Sequence, residues 1–202
     1  MGERFVAAVP GSAVATGTAA VPANDAVPDA VVGAAGLLGW HGVVLPRTEL
    51  LGKRVFPVVT VDRRAHEHRS VTGSGPVLDL DVLETWEWPE TFPFREPEVV
   101  RLHGVISRER RWPAALAAAS RLRGFASDAV VLGDGDGGGD EVARCLAACR
   151  RAMSGLVRDT GTATELLRHA RPGRSARARR SPLDRWIEER LYGRVLDLGV
   201  LT

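Results

Sequence analysis

The strongest constraint on this chain is the succession of apolar periods in its second half. An alanine-rich helical stretch at residues 112–123 is followed by a short apolar run at 128–132 and a long amphipathic stretch at 140–158. In the last of these, Val142, Cys145, Leu146, Cys149, Met153, Leu156 and Val157 recur at helical spacing, while Arg144, Arg150, Arg151 and Arg158 fall toward the other side. A short buried strand set between helices implies a parallel or mixed sheet covered by helices. The expected fold class is therefore α/β (or α+β), with a mixed sheet, a strand-dense N-terminal half and a helix-rich C-terminal half.

The first half supplies the remaining strands. Residues 42–45, 54–61, 77–83 and 98–107 are rich in Val, Leu and Ile and bounded by Gly and Pro. The clean alternation from Leu78 through Asp79, Leu80 and Asp81 to Val82 predicts a strand with one wet face. Pro57 places its strand at an edge or beside a bulge. Residues 29–40 read as a buried helix with a smooth face at Gly33, Gly36 and Gly39. Residues 4–9 read as a short strand and 10–28 as a loosely ordered loop. Residues 162–169 read as a short helix. Ser181 and Pro182 open a last helix that runs to about residue 192, with a final strand at 194–198. We expect one mixed domain over residues 1–167, followed by a basic linker and C-terminal helix over 168–202.

Composition excludes some classes. Apolar residues make up 45% and charged residues 26% of the 202, which suits a globular domain with a real core. A net charge of +2 is too small for the whole chain to be a nucleic-acid or membrane binder. The apolar run near the N-terminus is cut by Pro10 too early for a secretion signal, and no stretch is long enough to span a bilayer, so a cytoplasmic location is expected. Cys145 and Cys149 lack further ligands at metal spacing and read as small buried apolar residues.

Four segments carry possible chemistry. Gly133, Gly135 and Gly138 satisfy the letters of a dinucleotide loop between a strand and a helix, where free amides can hold phosphate. Asp134 and Asp136 oppose an anion there and suit a cation instead, although Gly138 and Cys145 break the calcium-loop pattern. His66 and His68 share one side of an extended segment and form a possible metal pair, with Asp62, Asp79 or His103 as a third ligand. Trp86, Trp88, Phe92 and Phe94 are four of the ten Trp and Phe residues, set among prolines in an irregular segment suited to a partner surface. From Arg168 to Arg185 seven arginines face one acid; in this basic arm Arg174, Arg177, Arg179 and Arg180 are the candidate nucleic-acid contacts.

Three functions follow. The first is a non-catalytic interaction or assembly module, a subunit of a larger complex with a protein partner or a second copy. The second is an enzyme or nucleotide binder using residues 133–140. The third is a nucleic-acid-associated protein using residues 168–185. No motif names a cofactor or a reaction.

Overall fold

A computed structural model describes residues 26–133, 138–172 and 180–201. The predicted strand at 4–9 and nearly all of the predicted loop at 10–28 lie outside them. The helix α1 (Asp29–Leu37) comes first, followed by β1 (Val43–Val44), β2 (Thr48–Leu50) and β3 (Lys53–Val61). The chain then makes a long excursion through α2 (Arg63–Thr72), α3 (Leu80–Thr85) and a 3₁₀ helix (Pro89–Phe94) before β4 (Val100–Ser107). Two crossovers follow: α4 (Trp112–Ser120) to β5 (Ser127–Leu132), and α5 (Gly139–Ala152) to β6 (Gly155–Asp159). A hairpin to β7 (Thr164–Arg168) and the helix α6 (Pro182–Asp197) complete the fold.

The sheet runs β1-β3-β4-β5-β6-β7, with β2 also paired to β3. β4, β5 and β6 are parallel, and the flanking pairs are antiparallel. The mixed α/β class is thus borne out. Alternation along β4 sorts the core between the faces: Val105 packs with α4 and α6, while Ile106 packs with α1. Val130 and Leu132 of β5 lie under α4 and α5, where Cys145 and Cys149 are fully buried and unbridged. Both crossover helices cover the same face, as successive steps in one direction along a sheet require. Pro57 lies in an interior strand rather than at an edge. It falls where β3 changes neighbour: Leu45 donates to its carbonyl at 2.8 Å, and the ladder to β4 slips between Val58 and Val59, the expected bulge.

Four expected elements differ. Residues 77–83 do not form a strand: Asp79 accepts from the amides of Asp81 (2.9 Å) and Val82 (3.3 Å) and starts α3, which buries Leu83 and seats the following Trp86 one turn later. The long amphipathic helix stops at Ala152, because Met153 turns left-handed (φ 58) and Ser154 donates back to Cys149. Leu156 and Val157 therefore belong to β6. Residues 164–168 are a strand rather than a helix, set by the turn at Thr160 and Gly161. Residues 194–197 continue α6 instead of forming a strand. Among the described residues no helix is long and apolar enough to cross a membrane.

Candidate interaction surface

The excursion between β3 and β4 carries the most unusual surface of the molecule. It begins where Asp62 accepts from the Ala65 amide at 3.0 Å and starts α2, which ends at left-handed Gly73. Arg69, on this helix, is fully buried. Its guanidinium forms a two-pronged pair with Glu189 of α6, at 2.7 and 2.9 Å, and lies 4.9 Å from the centre of the Tyr192 ring. The remaining donors reach the carbonyls of Ser74, Gly75 and Pro97, and the Val77 amide donates to Glu189 at 2.8 Å. One buried ion pair thus ties α2, the loop after it and the approach to β4 onto α6.

A second charged group pins the far side. Arg185 reaches Glu87 at 3.4 Å and Glu98 at 2.9 Å, while Arg180 joins Glu98 at 3.0 Å and also pairs with Glu188. Burial alone would raise the Glu98 carboxyl, but the Arg101 hydrogen bond and the charges of Arg180, Arg101 and Arg185 hold it below its ordinary value. Glu188 goes the other way: burial, then the charge of Glu98, pushes its carboxyl up to about 8 against the pull of the arginines.

Between these anchors the chain turns apolar groups outward. Leu83 and Trp86 face the core, yet Leu78, Leu80, Val82, Trp88, Phe92 and Phe94 remain exposed, Phe94 at 86%. These six are the majority of the ten large hydrophobic side chains exposed among the described residues. Interspersed with them are Asp79, Asp81, Glu84 and Glu90, all exposed; Glu87 is already paired with Arg185. No Lys or Arg occurs between Ser70 and Phe94.

The expected aromatic surface is therefore split. Trp88, Phe92 and Phe94 are open, but Trp86 is buried and cannot meet a partner, because it falls three residues after Leu83 on the core side of the turn. The segment is also ordered as α3 and a 3₁₀ helix rather than irregular.

The other candidate sites do not assemble among the described residues. His66 and His68 lie on a helix, roughly 200° apart around its axis, and not on one side of an extended segment. His66 Nδ1 meets the Tyr192 hydroxyl at 3.0 Å, His68 is exposed, and the Asp62 carboxylate serves as a helix cap. His103 pairs with Thr60 at 3.1 Å. Among the described residues no group of three His, Cys, Asp or Glu is placed to hold a metal ion. Gly133 follows β5 and Gly138 precedes α5, but Asp134, Gly135 and Asp136 lie outside the described residues. So do Arg174, Arg177 and Arg179. Arg180, expected to contact nucleic acid, is instead committed to Glu98 and Glu188 and is only 16% exposed.

Sequence reasoning missed Arg69, Glu189 and the exposed Leu78, Leu80 and Val82. The ion pair leaves no local trace, since its members stand 120 positions apart. The three aliphatic residues were read as one face of a strand. Compared with known proteins, the chain matches no family model, no curated protein and no solved structure.

Proposed function

We propose that this chain is a non-catalytic interaction module, a subunit that docks a protein partner on the exposed side of residues 78–94. The observation that carries this reading is the concentration of exposed large apolar side chains in one well-anchored segment. Single exposed apolar residues are ordinary, whereas a concentration of them marks a contact surface. The anchoring matters equally: a surface held by two ion-pair groups loses little conformational entropy when it binds. An enzyme reading has less support. The Ser70 hydroxyl lies 3.5 Å from His66 Nε2, but on the open surface of α2, where water competes for every contact.

The test is site-specific cross-linking in the native cell. A photoreactive residue at Val82 or Phe94 is expected to give a discrete protein adduct, and one at exposed Glu49 on β2 is expected to give none. Equal labelling from all three positions, or from none, overturns the proposal.

A further inference from the structure

We infer that the arginines gathered at the C-terminal end of α5 bind the phosphate backbone of a duplex nucleic acid. This goes beyond the interaction-module reading and does not depend on it. The turn at Met153 and Ser154, which closes α5, is the hub. Arg123 donates to the Ser154 hydroxyl at 3.0 Å, and Arg168 Nε donates to the Ser154 carbonyl at 3.2 Å. Arg171 gives its amide to the Met153 carbonyl at 3.2 Å, and its guanidinium reaches the Met153 sulfur at 3.4 Å. Arg150 and Arg151 stand in the last turn of the helix, just before Met153, and both are exposed. α4 and α5 join successive parallel strands on one face, so their C-terminal ends lie at the same edge of the sheet. Exposed Arg121, two residues before Arg123, thus adds a sixth charge at the end of α4.

Little negative charge meets these six arginines. Asp128, which accepts from Arg123 and from the Ser154 hydroxyl, is the carboxylate that joins them. Asp159 and Glu165 belong to the far end of the β6–β7 hairpin, because Arg168 is paired with Leu156 and Thr164 with Asp159. Arg121, Arg150, Arg151 and Arg171 form no ion pair among the described residues. Subtracting Asp128 and about half a unit for each of the two helix ends leaves a surplus of about four positive charges. Compensating the helix dipoles therefore does not account for the cluster. Met153, 39% exposed, is its one exposed large apolar side chain, too little for a membrane anchor or a protein hot spot. The exposed aromatics are Trp88, Phe92 and Phe94, so the cluster offers unpaired bases nothing to stack on. Charge alone suits an evenly spaced phosphate backbone, which guanidinium groups grip whatever the base sequence.

The experiment uses the full chain and four probes: labelled DNA and RNA duplexes of equal length, a polyglutamate peptide and phosphatidylserine vesicles. Duplex binding is expected to weaken about 100-fold between about 50 and 200 mM salt, as roughly four phosphate contacts require. Arg150→Gln, Arg151→Gln and Arg171→Gln together are expected to cut affinity at least tenfold and to lower the salt slope by about three. The same three positions changed to Lys are expected to keep the slope. Arg54→Gln, Arg110→Gln and Arg111→Gln remove the same charge from exposed positions at the opposite edge of the sheet, and are expected to leave the slope unchanged. A preference for one duplex that meets these tests supports the inference and names the acid as DNA or RNA. Absent or salt-independent duplex binding, or an unchanged slope in the first variant, overturns it. Tighter binding of the peptide or the vesicles also overturns it, assigning the cluster to an acidic protein or a membrane.

Discussion

At the scale of single residues, the buried charges decide the most. Removing one partner of the Arg69–Glu189 pair leaves a charge in a site with almost no water, at a cost of about 3–5 kcal/mol. Arg69→Met is therefore expected to lower stability by that amount in urea titration. Arg69→Met with Glu189→Met is expected to recover more than half, because two apolar side chains strand no charge. A loss below ~1 kcal/mol for the single variant refutes the anchoring role. Glu188 makes a pH prediction. Its folded carboxyl, at about 8, lies above its ordinary 4.5, so the folded chain holds a proton that the unfolded chain releases. Its contribution to stability is full below pH 4.5 and is lost as the pH rises through 8, with a slope of at most about 1.4 kcal/mol per pH unit. Melting curves between pH 5 and 9 are expected to fall more steeply for the natural chain than for Glu188→Gln. Parallel curves refute this.

At the scale of elements, α6 is the keystone of the C-terminal face. Ser181 and Asp184 form a reciprocal cap, and Ile187, Leu191, Tyr192 and Val195 recur on one face and are buried. Burying four such side chains contributes gross stabilisation on the order of 6–12 kcal/mol. The opposite face depends on a close approach: a Cβ at Gly104 of β4 would lie 2.4 Å from the Trp40 ring. Gly104→Ala is expected to destabilise by about 1–3 kcal/mol through overpacking, and Trp40→Leu in the same chain is expected to relieve most of it. Chemical denaturation of the two variants checks the pair. If Trp40→Leu gives no relief, the ring is not the obstacle. Two of the elements misread from sequence show how a local period misleads. The pattern from Leu78 to Val82 alternates like a strand, and only the Asp79 cap together with the burial of Leu83 and Trp86 makes it helical. Leu156 and Val157 extend the helical period of α5 by coincidence, and the left-handed Met153 interrupts it.

At the scale of the whole molecule, one excursion carries both the anchoring contacts and the side chains proposed for recognition. Leu80→Ser, Val82→Ser and Phe94→Ser are therefore each expected to shift the urea midpoint by less than the equivalent of ~0.5 kcal/mol, the usual range for exposed positions. A loss above 2 kcal/mol at any of them would show that the position belongs to the fold. The amino-acid sequence by itself determined the mixed α/β class, the sheet strands β1, β3, β4 and β5, the buried cysteine face of α5 and the capped start of α6. Each of these is written in local periodicity and capping residues. Only the tertiary structure decided that Trp86 turns inward while Phe94 turns outward, and that Arg180 is committed to Glu98 and Glu188. Those outcomes depend on groups distant in sequence, above all α6 against the β3–β4 excursion, and pairings of that range leave no period along the chain.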